Sequence, residues 1–252
     1  MTKLKQTKKR NAGKPAAGAD RLNRWLCTQD RKDCEPYEEH SFTEDPQWRI
    51  LRIMSEFIEG FEFLSKLKKE VTFFGSARVK PSTWPYKEAR KLAKILGKKK
   101  YTVITGGGPG IMEAGNRGVV EGGGESIGLD IELPNAQRRN PYVKKSVGFH
   151  YFFTRKVMLS ASAQAYVFFP GGFGTLDEMF EMLTLIQTGK ITDDIPLILV
   201  GKKYWSPLLA WIDAELVASG YVGKEERSIV QLVDSAADAY AIIERTVERK
   251  FG

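Results

Sequence analysis

From residue 71 onward the chain alternates short apolar runs with longer segments of helical periodicity. Val71-Thr72-Phe73-Phe74, Tyr101-Thr102-Val103-Ile104-Thr105, Glu125 to Ile131 and Ala165-Tyr166-Val167-Phe168-Phe169 read as buried strands, with a short further strand near Ser146 to Phe149. Between them, Tyr86 to Leu96, Ile111 to Glu121 and Phe153 to Ala161 read as helices. A helix that begins near Thr175 puts Leu176, Met179, Phe180 and Leu183 on one side. Pro196 to Val200 predicts another strand, Trp205 to Ala218 a helix, Ile229-Val230 a short strand, and Ser235 to Arg249 a last helix. Strands that alternate with helices predict an α/β fold, a doubly wound parallel sheet covered on both faces, in one domain over residues 70–252.

Upstream the pattern changes. Residues 25–69 form an extension with one helix, in which Trp48, Leu51, Met54 and Ile58 share a face that suits packing on the core or across a subunit interface. Over residues 25–46 the sign switches, with seven acidic side chains against Arg31 and Lys32. Residues 1–24 are rich in Lys, Ala and Gly, lack apolar periodicity and are expected to be a disordered basic tail.

Composition sharpens this picture at two points. The net charge is +8, but residues 1–24 carry eight basic side chains against Asp20, which is nearly the whole excess. The remainder is close to neutral, so a nucleic-acid-binding face is not expected in the folded part. The two cysteines, Cys27 and Cys34, match neither a redox nor a zinc spacing, and His40 does not complete a site; no metal is expected, and free thiols fit a cytoplasmic protein. No apolar run is long enough to cross a membrane, and no secretory signal is visible.

Candidate chemistry sits where strands end. Gly75-Ser76-Ala77-Arg78, Gly106-Gly107-Gly108-Pro109-Gly110 and Pro170-Gly171-Gly172-Phe173-Gly174-Thr175 each follow a strand, and all would open on one edge of the sheet. A glycine turn between a strand and a helix N-terminus offers unpaired N–H groups and partial positive charge, the physics of a phosphate cradle. A tight turn that binds nothing has the same sequence. None of the three is a P-loop, because no Gly-Lys-Ser/Thr follows. No acidic residue at the end of the second strand is placed to hold the ribose of a dinucleotide, which favours a mononucleotide.

Gly75-Ser76, Gly106 to Ala114, Arg155-Lys156 and Pro170-Gly171-Gly172-Phe173-Gly174-Thr175-Leu176-Asp177-Glu178 occur in that order and resemble the LOG (Lonely Guy) family, from about residue 70 to the C-terminus. The resemblance implies a Rossmann-like fold, a homodimer or higher homo-oligomer, and a phosphoribohydrolase. Such an enzyme cleaves the N-glycosidic bond of a nucleoside 5′-monophosphate, AMP or a cytokinin riboside monophosphate, into free base and ribose 5-phosphate, with no cofactor. His150 to Lys156 differs from the short plant-type members, which carry Met-His-Glu before Arg-Lys; the chain resembles the longer bacterial branch. Family members often carry a lysine-decarboxylase label. That chemistry calls for an electron sink such as pyridoxal phosphate on a lysine, and Lys156, paired with Arg155, suits a phosphate instead. A non-catalytic nucleotide or molybdenum-cofactor carrier of related fold is the alternative; it would keep the glycine turns and lose the Arg and Glu pair.

Glycosidic cleavage develops positive charge on the sugar, which a carboxylate stabilises. Glu178 is the candidate; equally, Thr175-Leu176-Asp177-Glu178 spells a capping box, in which Glu178 bonds the Thr175 N–H. Arg155 is the second catalytic candidate, to steady the leaving base or the phosphate, or else a structural ion pair. Gly75, Ser76, Gly107, Gly108, Lys156, Gly171, Gly172, Phe173, Gly174, Thr175 and Thr184 are the expected substrate-binding residues. Glu181 shares a face with Glu178 as a support or a solvated residue, and His150 is expected to be packed among aromatic rings.

Overall fold

The computed structural model describes residues 46–132, 139–192 and 194–249. The expected tail at 1–24 and the acidic stretch at 25–45 lie outside the described residues. Seven strands form one parallel sheet: β1 (Glu70–Phe74), β2 (Thr102–Thr105), β3 (Glu125–Ile131), β4 (Lys145–Phe149), β5 (Ala165–Phe168), β6 (Leu197–Val200) and β7 (Val230–Val233). Their spatial order is β4-β3-β2-β1-β5-β6-β7, every neighbour pair is parallel, and β1 pairs with β5 from Val71↔Ala165 to Phe74↔Phe168.

The central strands β1, β2, β5 and β6 bury both faces, so their residues divide by parity between two cores. On one side Val71, Phe73, Ala165, Val167, Ile198 and Val200 meet α2 (Trp84–Lys98), α3 (Ile111–Gly122) and α8 (Ala236–Ile243). On the other Phe74, Tyr166, Phe168, Leu197 and Leu199 meet α1 (Pro46–Leu64), α4 (Phe152–Ser160), α5 (Phe173–Gln187) and α6 (Lys202–Trp211). The Phe74 and Phe168 rings stack at 5.0 Å across the central pair.

Three elements differ from their sequence pattern. Helix α5 starts two residues before Thr175, because the Gly172 carbonyl accepts the Thr175 and Leu176 N–H groups and so takes the cap position. The segment expected as one helix to Ala218 becomes a π-helical turn at Ile212–Val217, marked by Ala218 N–H donating to the Asp213 carbonyl, with a short α7 (Lys224–Arg227) after it. The last helix ends at Ile243, short of Arg249.

The sequence pattern of α1 grouped Trp48, Leu51, Met54 and Ile58; Trp48 is half-buried, the other three face outward, and Phe57, Phe63 and Leu64 are side chains that meet the core. The helix is anchored by a carboxylate. Glu56 is buried, and it accepts hydrogen bonds from His150 N–H (3.0 Å), Tyr151 N–H (3.4 Å) and Thr154 Oγ1–H (2.6 Å). Tyr151 is the residue that precedes α4, and its own side chain caps nothing. Glu56 therefore bonds the N–H of the cap residue from another helix, as the carboxylate of a capping box does locally.

Replacing Glu56 by Ala leaves the His150 and Tyr151 N–H groups without their acceptor in a half-buried site, while the Thr154 hydroxyl keeps the Tyr151 carbonyl at 2.8 Å. We expect Glu56→Ala to cost about 1–3 kcal/mol, read as a fall in Tm of several degrees by calorimetry. An unchanged Tm would show that the three hydrogen bonds carry no net stability.

Candidate active site

The strand order reverses next to β1. The chain leaves β1 for β2 on one side and, after β4, returns to β5 on the other, so crevices open beyond the carboxyl ends of β1 and β5. A cavity of about 900 Å³ occupies this point. The two turns that form its rim are tied together: Ser76 N–H donates to the Pro170 carbonyl at 3.1 Å, and Ile111 N–H at the head of α3 donates to the Ser76 carbonyl at 3.1 Å. Gly75 is a glycine because a Cβ there would stand 2.6 Å from Ile111 Cγ1.

The turn after β5 leads straight into α5. The first amides of this helix, at Phe173 and Gly174, have no intrahelical acceptor and lie at the positive end of the helix dipole. A Cβ at Gly171 would collide with Thr175 Oγ1 at 2.0 Å, so Thr175 requires that glycine. A Cβ at Gly172 or Gly174 would meet nothing within 4 Å. Packing does not require glycine at those two positions, and both leave open space at the rim of the cavity. The Gly171 carbonyl is held by the Tyr204 hydroxyl, which donates to it from α6. Phe173 is 92% exposed at the mouth of the cavity.

The opposite wall comes from α4. Arg155 Nε donates to the Leu129 carbonyl at 2.7 Å, which holds the guanidinium against the end of β3. A Cβ on Gly106 would stand 2.1 Å from Arg155 Nη2, so the glycine turn after β2 is bare there to admit the guanidinium. Burial pushes Arg155 below its ordinary value, and the charges of Glu178 and Asp130 oppose that shift. Lys156 Nζ lies 2.7 Å from Asp177 Oδ2 and 3.3 Å from Glu181 Oε2. Burial lowers the lysine, but Asp177, Glu181 and Glu178 outweigh it and hold the ammonium above its ordinary value.

Glu178 projects from the second turn of α5 into the same cavity. It is not a capping residue: the cap is Gly172, and Thr175 N–H is already bonded to the Gly172 carbonyl at 3.0 Å. Its carboxyl is raised to about 8, first by burial and then by the charge of Glu181, against Lys156 and Arg155. The result is a carboxyl raised to about 8, beside two cations, in the cavity that the first turn of α5 also lines.

The cavity thus brings together Gly75, Ser76, Arg155, Lys156, Gly171, Gly172, Phe173, Gly174, Thr175 and Glu178. It does not reach three others. Gly107 and Gly108 lie behind Gly106, where their carbonyls accept from Asn140 Nδ2 at 3.0 and 2.9 Å. Gly107 has φ 73°, and a Cβ there would overlap Asp130 Oδ1. These two glycines shape the wall and do not face the ligand space. Thr184 lies two turns beyond Glu178, donates its hydroxyl to the Phe180 carbonyl at 2.8 Å, and lines a separate apolar cavity. His150, expected to be packed among aromatic rings, has one such contact, edge-on with Tyr151 at 4.9 Å, but is exposed, with Nδ1 3.3 Å from Glu132.

Sequence reasoning missed Met112, Phe152 and Tyr204, which also line the cavity. Tyr204 is 33 residues from the carbonyl that it holds, and no local signal joins them. Asp130 was findable: it is an acidic residue at the end of a buried strand, on the edge where ligands bind. Its Oδ1 is buried without a hydrogen bond, while Oδ2 pairs with Arg139. No cluster of metal-binding side chains occurs among the described residues, and no described helix is long and apolar enough to cross a membrane.

Residues 112–243, just over half of the chain, match the family described as "Possible lysine decarboxylase". A rice protein (Oryza sativa subsp. japonica) named "Probable cytokinin riboside 5′-monophosphate phosphoribohydrolase" is 30% identical over 190 residues, 73% of this chain and 79% of that protein. An Arabidopsis thaliana protein named cytokinin riboside 5′-monophosphate phosphoribohydrolase is 28% identical over 193 residues, 75% of this chain and 88% of the other. Among solved structures, the molybdenum cofactor carrier protein of Chlamydomonas reinhardtii superposes with TM-score 0.51 at 20% identity, over 70% of this chain and 96% of that one. The molybdenum cofactor binding protein of Rippkaea orientalis does so with TM-score 0.50 at 21% identity, over 69% and 93%. At those identities the structural likeness speaks for the fold.

The raised carboxyl makes a prediction about stability. In the unfolded chain Glu178 releases its proton near the ordinary value of 4.5, and in the folded protein near about 8. Between these the folded state binds more protons, so stability is greatest below the lower value and falls as pH rises through the upper one. Gln does not titrate. Chemical denaturation at pH 5 and pH 9 is therefore expected to show a smaller loss for Glu178→Gln than for the wild type; equal losses would mean that Glu178 titrates as it does in water.

Proposed function

The chain belongs to the LOG family, whose description is "Possible lysine decarboxylase", and on that premise we propose that it hydrolyses the N-glycosidic bond of a nucleoside 5′-monophosphate. AMP or a cytokinin riboside monophosphate is the substrate, and free base and ribose 5-phosphate are the products. One observation carries this reading: Glu178 and Arg155 face one cavity whose rim is the N-terminal turn of α5. The 5′-phosphate rests on the first-turn amides of α5 in the space left at Gly172 and Gly174. Arg78, exposed on the turn after β1, adds a cation to the same wall.

With the phosphate fixed, the sugar meets Glu178. The bond from C1′ to the base nitrogen lengthens, charge develops on the ring, and the carboxylate stabilises it. Water adds its oxygen to C1′ and gives one proton to Glu178, the base leaves with its bonding electrons and takes a proton from solvent at nitrogen, and Glu178 returns its proton to solvent. A carboxyl tuned near neutrality is a stronger base than an ordinary glutamate and still ionises at working pH. Arg155 does not give up a proton; it orients the nucleotide and steadies the departing base.

The decarboxylase description does not fit these residues. A lysine that forms a Schiff base needs its amine neutral, which calls for a depressed pKa. The cavity's lysine, Lys156, is held charged by Asp177 and Glu181.

We also propose that the protein is a homodimer or higher homo-oligomer. Ile50, Leu51, Met54 and Ile58 on α1 and Phe152, Phe153 and Val157 on α4 are exposed, with Ile58 at 66%. Surface of this kind marks an interface. Light scattering at micromolar concentration is expected to give at least twice the chain mass, and Ile58→Asp to shift it toward the monomer. A monomeric wild type would overturn the proposal.

The main test is incubation with a panel of nucleoside 5′-monophosphates, with free base and ribose 5-phosphate as the readout. Glu178→Gln is expected to lower turnover by about two orders of magnitude or more with little change in nucleotide affinity. Near wild-type turnover by that variant would defeat the mechanism. Tight nucleotide binding with no cleavage by the wild type would favour a carrier.

A further inference from the structure

The hydrolytic reading gives Glu178 and Arg155 their tasks and leaves Glu181 without one. Glu181 follows Glu178 by three positions on α5, so the two carboxyls share a helix face. A solvated glutamate on that face would be free to swing. Glu181 is instead only 25% exposed in its side chain, with Oε2 3.3 Å from Lys156 Nζ. The same oxygen is buried and makes no aligned hydrogen bond. Lys156 is tethered at a second point by Asp177, at 2.7 Å, so it bridges α4 to α5 beside Glu178 and is not available to follow a ligand.

We propose that Glu181 is a positioning residue for Glu178: together with Lys156 it holds the charges around that carboxyl in place and decides at which pH Glu178 carries its proton. The proposal rests on the hydrolytic reading for its catalytic meaning, although the electrostatic pairing does not depend on turnover. A second negative charge on one helix face disfavours ionisation of the first, and a nearby ammonium favours it. The charged groups that act on Glu178 are Glu181 and Asp177 from its own helix and Arg155 and Lys156 from α4. Arg78 lines the same cavity from the turn after β1, and Asp130 at the end of β3 acts on Arg155. Among the charges acting on Glu178, Glu181 has the largest effect and Lys156 the next, in the opposite sense. Glu181 does not line the cavity, so this influence needs no contact with substrate.

The signature is a pair of opposite shifts. In the full-length protein, kcat/KM for a hydrolysed nucleoside monophosphate is measured against pH in wild type, Glu181→Gln and Lys156→Met. The acidic limb is expected to move down by roughly one pH unit in Glu181→Gln and up by a similar amount in Lys156→Met. A structural defect would lower the whole profile without moving the limb. NMR titration of the Glu178 side-chain carboxyl, identified by its loss in Glu178→Gln, is expected to move in the same two directions and needs no turnover. Should Glu181→Gln fail to fold, the upward shift in Lys156→Met carries the test. An unmoved Glu178 titration, or shifts of the same sign in both variants, would overturn the proposal. Opposite NMR shifts in a protein that cleaves no nucleotide would leave the pairing standing and remove the hydrolytic reading instead.

Discussion

A parallel sheet cannot be made from hairpins, and that constraint organises the molecule. Each strand must be followed by a crossover that returns the chain to the same edge, so every strand-to-helix turn opens on one side. The order β4-β3-β2-β1-β5-β6-β7 then leaves the turns after β1 and β5 side by side with no helix between them. The bond from Ser76 N–H to the Pro170 carbonyl fastens them. The cavity at this point follows from topology before any catalytic side chain is considered.

What fills the cavity wall is an electrostatic balance. Two carboxyls on one face of α5 cannot both ionise cheaply in a partly buried site. Arg155 and Lys156 come from one short helix, α4, and compensate them in different ways. Arg155 is docked on a backbone carbonyl with its guanidinium toward the ligand space. Lys156 is spent on Asp177 and Glu181. Adjacent basic residues, alike in composition, thus divide into one that can meet a ligand and one that adjusts its neighbour.

Much of this was legible in the sequence. The strands from Val71 and Ala165 are apolar enough to be buried on both faces, and the parallel sheet follows. The glycines after Phe169 placed the strand-to-helix turn within two residues of the observed helix start, and the Arg155 and Glu178 pair emerged from motif order. The capping alternative for Glu178 could not be resolved from spacing, because a Thr-x-x-Glu string looks the same whether the helix starts at Thr175 or at Phe173. Gly107 and Gly108 looked like Gly106 in the sequence, but only a folded Asn140 distinguishes wall from lining. Thr184 is on the correct helix, but two turns past Glu178 the helix has left the cavity. The apolar stripe of α1 showed a helix and not which side of it would be covered, since periodicity reports that a face exists and is silent on its partner.

The buried carboxylate of Glu56 bears on where this protein begins. By counting strands, one would cut the domain at residue 70 and treat everything before it as an appendage. Yet the donors at the head of α4 have their acceptor in α1, and α4 carries Arg155. The smallest piece of chain that can build this cavity wall as it stands therefore starts ahead of the sheet, at α1. Comparisons between family members that align only the sheet would leave out part of the apparatus that holds the arginine in place.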